Sequence, residues 1–347
     1  MQTRDILIGA GIAGACVARA LVARGRGVVV VDGDGVAGGA SGVPRAVVQP
    51  VTGMRASWRP RYAEARDRAE ALLRDHVSRD LHVRRGVLRI ALDERHATLW
   101  SRQMDAAPDD VARWVDGHEA RAIADGISAG TTGGIHLPGG LDLDGPGVVR
   151  SLLDAPGITV RRARVRAVET VDGAPGVWLD DGTWMAGRSV VVAAGVGAAA
   201  LLPGLGVTLT PVRGVCGWRE TAIASRVVVG HRGQIVPMGD RTFVGSTFSP
   251  GDDARRIDLA DLDLLAERLG QAIPGAYGPV VDGWAGVRVA ARDRNPVVAQ
   301  VPDQPGVFAV AALGSKGFLL APWIADRVAA AIADGSPIDV PDAWGWR

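Results

Sequence analysis

The sequence predicts an α/β protein that opens on a Rossmann-like dinucleotide-binding unit. Three observations predict it. The stretch "DILIGAGIAGACVARALVARGRGVVVVDGDG", from Asp5, reads strand, glycine turn, helix, strand and acid. A second apolar run, "RSVVVAAGVGAAALLP" at 188–203, ends in small residues, as a buried strand beside a bound group does. The chain has 347 residues, 47% of them apolar, which suits two domains or one large α/β unit with an inserted lobe.

The elements follow in order. Asp5–Ile8 begin a buried strand. Gly9, Gly11 and Gly14 form a G-x-G-x-x-G turn. Gly9 allows the tight turn, Gly11 lets backbone approach a pyrophosphate, and Gly14 lets helix pack on strand. Ala15–Arg24 have helical composition, and the start of that helix offers free N–H groups and a positive dipole end to an anion. Val28–Val31 form the second strand. Asp32, 18 residues after Gly14, can accept hydrogen bonds from ribose hydroxyls. These features agree on a dinucleotide but do not separate FAD from NAD. In "GGASGVPRAVVQP" (38–50) small residues let the backbone pass close to a flat ring or a phosphate. The later strand ends in Ala193, Ala194 and Gly195. Phe318–Ala333 read as the last long helix, with Pro322 allowed only in its first turn. "PDAWGWR" reads as a short extended end.

Composition excludes several classes. A net charge of +1 is not that of an obligate nucleic-acid coat. Local basic faces stay open: residues 55–95 hold eleven arginines against seven acids, and 150–166 hold five against one. Such faces can contact phosphates, or be solvated helix sides paired i to i+4. Two distant cysteines, Cys16 and Cys216, make neither a disulfide framework nor a metal site, and point to a reducing cytoplasm. The six histidines show no HxxxH or HxH spacing, so no metal is expected. The apolar opening carries glycines at fixed spacing and runs into a strand, so it reads as folded structure rather than a targeting segment. No apolar run reaches the roughly 18 residues of a membrane span.

Five separated stretches carry a family resemblance: "IGAGIAGACVARAL", "AGGASGVPRAVVQP", "TPVRGVCG", "WAGVRVAARDRNPVVAQVPD" and "VFAVAALGSKGFLLAPWIADRVAAAI". The chain resembles the D-amino-acid-oxidase/glycine-oxidase superfamily of FAD enzymes. Within it, the chain is most similar to the FAD-dependent oxidase domain of the MnmC family of tRNA-modifying proteins. The resemblance implies a Rossmann-like FAD-binding domain from 1–82, 145–205 and 286–347. It implies an interleaved, mainly antiparallel α+β substrate domain from 83–144 and 206–285. It places Gly9, Gly11, Gly14 and Asp32 on the ADP half of FAD, and Ala40, Ser41, Gly42 and Ala46 along the pyrophosphate and ring. Val165 would meet the adenine, Ala194 and Gly195 would border the cofactor, and Gly314, Ser315, Lys316, Gly317 and Phe318 would lie by the pyrimidine edge. Three departures stand out. Val43 replaces a common asparagine. Asp32 stands where many flavoproteins have glutamate, and no basic residue follows it directly. MnmC proteins also carry a methyltransferase domain ahead of the oxidase, whereas this chain opens on the flavin strand.

Two cations are candidates for the chemistry. Of 39 basic residues only Lys316 is lysine. A charge there, beside a helix start, would favour negative charge on a reduced flavin or on superoxide. In relatives, an arginine in a stretch like "WAGVR" binds the substrate carboxylate, which assigns that role to Arg288; a guanidinium suits it by making two parallel hydrogen bonds. An ion pair with Asp293 is the structural alternative. Arg292 and Arg294 read as part of the turn that positions Asn295-Pro296. Trp58, Trp218 and Trp284 can wall a pocket, though most of the ten tryptophans are core. No cysteine is placed to attach the flavin, so FAD is expected to be noncovalent.

The leading expectation is oxidation of a C–N bond in an N-CH2-carboxylate group, converting carboxymethylaminomethyluridine in tRNA to aminomethyluridine, with glyoxylate released and molecular oxygen as acceptor. The alternative is an oxidase of a free small amine such as glycine, sarcosine or a D-amino acid. A flavin-binding module without turnover is the third reading.

Overall fold

The computed structural model describes residues 4–346. Six strands build the first sheet, in the order Val297–Gln300, Val307–Ala311, Val190–Val192, Asp5–Ile8, Val28–Asp32 and Ile158–Arg162. Neighbours run parallel, except the edge strand Val297–Gln300, which is antiparallel to Val307–Ala311. Helices Ile12–Val22, Pro60–His76, Gly145–Leu153 and Gly317–Asp334 share one core with one face of this sheet. On the other face lies a meander of Val165–Val171, Ala174–Leu179 and Trp184–Ala186, whose Val177 and Leu179 pack against Ile6, Ile8 and Val190. Coverage on both faces is why the inner strands read as unbroken apolar runs.

The second sheet is mostly antiparallel and has its own core. Its spine is a pair of long strands, Leu209–Arg219 and Val281–Ala291, in the register Val212↔Arg288 and Cys216↔Trp284. Val281–Ala291 belongs to this sheet over its whole length and runs through the boundary expected at 286. At the seam between the sheets, Ala46–Val48, Leu141–Leu143 and His82–Arg84 form a small third sheet. Asp142 pins it: fully buried, it pairs with Arg45 at 2.7 Å and Arg85 at 3.0 Å.

Three local expectations need correction. The first helix starts at Ile12, before the expected Ala15, because the residues after Gly11 are already helical within the motif. The last helix spans Gly317–Asp334 and carries Pro322 inside it rather than in its first turn. Residues 319–325 are all buried, and that packing outweighs the roughly 3 kcal/mol that proline costs a helix interior. The C-terminal end is not extended: Asp342–Trp344 make a 3-10 turn, and Trp344 is buried edge-on against Trp323. Among the described residues no helix is long and apolar enough to cross a membrane.

Candidate active site

The glycine turn, Asp32, Ala193–Gly195 and Leu313–Lys316 each follow the carboxyl end of a parallel strand, so four separated stretches meet along one edge of the first sheet. Open α/β sheets bind ligands at that edge. Two of the motif glycines are required by the protein itself. Gly9 has φ +110°, and a Cβ on it would lie 2.4 Å from the Ala193 carbonyl oxygen; one on Gly14 would lie 2.0 Å from that of Gly9. Others border open space. Among the described residues a Cβ on Gly39 or Gly195 would meet nothing within 4 Å, and one on Gly11 only the side chain of Ser41. A passage without side chains thus runs from the turn past the Ala40–Gly42 segment. That is the cradle an FAD pyrophosphate needs, so the residues present fit this cofactor.

The acid at the second strand is more committed than its spacing suggests. Asp32 Oδ2 accepts from Ala10 N–H at 2.7 Å, and Oδ1 accepts from Asp34 and Gly35 N–H at 2.8 and 2.9 Å. It ties the two turns together, and a carboxylate keeps lone pairs for a further donor. Ser41 Oγ accepts from Ile12 N–H at 3.0 Å, joining the Ala40–Gly42 turn to the helix start. Ala46 opens the seam strand. Val165 pairs with Leu179 in the meander and packs against the core that holds Val31. Phe318 lies 3.4 Å, and Val43 O 2.4 Å, from where a Cβ on Gly145 would stand, so these three stretches touch. A Cβ on Gly317 would be 3.2 Å from Ile12 Cγ2.

The second sheet meets this edge through Val281–Ala291. Trp284, Gly286 and Arg288 alternate onto one face, and Trp284 comes within 3.4 Å of a Cβ placed on Gly42. Arg288 therefore lies on the face turned toward the Ala40–Gly42 turn. Its Nη2 donates to the Thr247 carbonyl at 3.0 Å, and its guanidinium lies 5.7 Å from the Phe248 ring centroid. Burial lowers its pKa. Trp58 packs, like Trp284, against the second sheet's core, and its buried indole N–H has no acceptor among the described residues. Trp218 is occupied elsewhere, edge-on to Phe243 with Arg241 over its ring. Cys216 is buried, as expected, and burial pushes its thiol up to about 12. Cys16 is raised in the same way.

Lys316 ends the 3-10 turn Gly314–Lys316 before the last helix. Its Nζ donates to the Arg294 carbonyl at 2.5 Å. Burial brings its pKa down to about 8, helped by the positive charges of Arg59 and Arg294 and opposed by Asp293. Arg294 does sit in the turn, with φ +64°, and the Asp293 carboxylate accepts from Asn295 N–H. That turn also carries the Arg294 guanidinium to 5.3 Å from the Phe248 ring. Arg59 precedes helix Pro60–His76. Arg89, buried in the second sheet, holds the loop before it by donating to the Val51 and Gly53 carbonyls at 3.2 and 2.7 Å. Burial lowers the pKa of Arg89 to about 10. The sequence offered no signal for Phe248, and it marked Arg59 and Arg89 only as two of the eleven arginines of 55–95. Among the basic residues of 55–95, Arg66 and Arg74 pair with their sequence neighbours Asp67 and Asp75, Arg68 with Asp326 of the last helix, Arg84 with Glu70 and Arg85 with the buried Asp142; none of these is an i to i+4 pair.

Residues 6–331 match the family model DAO, described as FAD dependent oxidoreductase. The chain is 32% identical to the tRNA 5-methylaminomethyl-2-thiouridine biosynthesis bifunctional protein MnmC of Caulobacter sp. (strain K31), over 97% of this chain and 56% of that protein. It is 33% identical to the protein of the same name from Thiobacillus denitrificans (strain ATCC 25259 / T1), over 96% of this chain and 56% of that protein. The chain thus spans about half the length of the curated relatives it matches. In fold it is similar to glycine oxidase from Geobacillus kaustophilus, with a TM-score of 0.86 and 22% identity over 99% of this chain and 98% of that one. It is also similar to iminodiacetate oxidase from Chelativorans sp. BNC1, with a TM-score of 0.81 and 24% identity over 99% of this chain and 100% of that one.

Proposed function

The chain belongs to the DAO family of FAD-dependent oxidoreductases, and from that premise we propose that it oxidises the carboxymethylamino C–N bond of a modified tRNA uridine. The products would be aminomethyluridine and glyoxylate. The observation that carries this reading is the half-buried guanidinium of Arg288, held by a backbone carbonyl and a ring on the face toward the Ala40–Gly42 turn. The naming of relatives at about one-third identity supports the tRNA substrate.

In this reading Gly9, Gly11, Gly14 and Asp32 hold the ADP half of FAD, with Val165 at the adenine. Ala40, Ser41, Gly42 and Ala46 run along the pyrophosphate and ring, Ala194 and Gly195 border it, and Gly314–Phe318 lie at the pyrimidine edge. Attachment is noncovalent, since both cysteines are buried as neutral thiols. When bound, FAD supplies a two-electron acceptor for a hydride and passes the pair to dioxygen as hydrogen peroxide. Arg288 grips the substrate carboxylate with two parallel hydrogen bonds and so fixes the adjacent methylene. The neutral amine gives its lone pair to a C=N bond as the hydride leaves. Water then adds to that carbon, the C–N bond breaks, and the amine stays on the uridine. No side chain need act as base, because the amine reacts unprotonated. Lys316 and the start of the last helix place positive charge where the reduced ring becomes negative.

The test is flavin bleaching without oxygen. FAD-loaded protein is mixed with tRNA bearing the carboxymethylaminomethyl group and, separately, with glycine, sarcosine and D-alanine. Rapid bleaching by the tRNA, with aminomethyluridine formed, is the expected result. Bleaching by a free amine with the tRNA inert would assign an oxidase of small amines instead.

A further inference from the structure

Phe248 is poorly explained as packing. Its neighbour Thr247 is 2% exposed, yet 49% of Phe248 is open. Among the large apolar side chains left exposed, it is the one with guanidinium groups over its ring, Arg288 at 5.7 Å and Arg294 at 5.3 Å. The Arg294 carbonyl accepts from Lys316 Nζ, and Arg59 is close enough to Lys316 to act on its charge. Two guanidinium groups therefore lie over one open aromatic face, and Lys316 is tied to the backbone of the second of them, Arg294.

A small amine with one carboxylate uses Arg288 and leaves the rest of this arrangement idle. A flat, anionic ligand uses all of it. A base can stack on the ring, because every base has a π-face, while a flanking guanidinium meets a phosphate. Arg288 and the ring are in contact, so a group reaching Arg288 can hang from a base lying on Phe248.

We infer that Phe248 is the stacking platform for a nucleobase of the RNA substrate, with Arg294 as its phosphate contact and Arg288 left for the carboxylate that base carries. This rests on the tRNA reading above and names the surface that recognises it.

The test uses FAD-loaded enzyme and a fluorescently labelled anticodon stem–loop bearing the carboxymethylaminomethyl group. Anisotropy gives Kd, and anaerobic bleaching gives the rate. Phe248→Ala and Phe248→Leu should both raise Kd by about 5- to 150-fold, the range that stacking on an aromatic ring supplies. Phe248→Tyr should restore it. Arg294→Gln should lower the slope of log Kd against log salt by about one phosphate contact. If Phe248→Leu, which keeps the bulk but not the ring, binds like the wild type, the platform is overturned while the tRNA reading stands. If wild-type enzyme neither binds nor oxidises the stem–loop, the tRNA reading falls and the platform falls with it.

Discussion

Replacing Gly214 by alanine tests the role of Arg288 without removing it. Gly214 lies on the strand that pairs with Val281–Ala291, opposite Gly286. A Cβ there would stand 2.3 Å from Arg288 Nη2, 3.0 Å from its Cζ and 3.1 Å from the Thr247 carbonyl oxygen. Ordinary contact needs about 3.5 Å, so the guanidinium must retreat by about 1 Å. The far end of a flexible side chain can do this, and the backbone of Thr247 needs to give much less. The fold should survive at an overpacking cost of about 1–3 kcal/mol. Catalysis should not, because a misplacement of about 1 Å can cost about 100-fold, equivalent to about 2.7 kcal/mol of transition-state stabilisation. The assay is kcat/KM from bleaching rates over a range of substrate concentrations, beside FAD content by visible absorbance and a thermal melt. The expected outcome is full FAD content, a modest fall in Tm and kcat/KM down by about two orders of magnitude. A folded, FAD-loaded variant with kcat/KM near the wild-type value would refute the assignment of Arg288 as the carboxylate clamp.

Asp142→Asn should leave Arg45 and Arg85 facing a neutral group at a buried seam. Breaking a buried pair costs about 3–5 kcal/mol, so Tm should drop on the order of 10 °C; a melt unchanged within error would show that the charge of Asp142 contributes nothing. Lys316 has a folded pKa of about 8 against an ordinary 10.5. Between those values the unfolded chain binds more protons, so stability rises with pH across that window. Lys316→Met should therefore raise stability below pH 8, on the order of 1–2 kcal/mol after screening, and the gain should fade toward pH 10. If the charge also serves flavin reduction, the ratio of wild-type to variant bleaching rates should fall as pH rises through about 8, beneath the rise that deprotonation of the substrate amine gives both. Parallel wild-type and variant pH profiles would exclude that role.

The cofactor half of this protein is legible in its residues because its signals are local. A Rossmann turn needs Gly9, Gly11 and Gly14 within six positions and an acid one strand later, and backbone sterics enforce that spacing. The carboxyl-end residues Ala193–Gly195 and Gly314–Phe318 follow apolar strands that could be read the same way. Arg288 was reached through resemblance, since nothing in its own neighbourhood shows what it faces. Pro322 and Trp344 show where local rules fail. Burial of residues 319–325 carries the helix through a proline, and edge-on packing on Trp323 buries Trp344 in a 3-10 turn rather than an extended tail. Phe248, Arg294, Lys316 and Arg59 belong together only in three dimensions. They come from loops on two sheets and a helix start, and no periodicity links a loop to a partner many residues away. Chain composition and local stereochemistry therefore determine the Rossmann-like turn and point to a dinucleotide as its ligand. The two guanidinium groups over the open face of Phe248 are decided by the tertiary structure, because Arg288 and Arg294 lie far along the chain from Phe248 and only long-range contacts bring them to it.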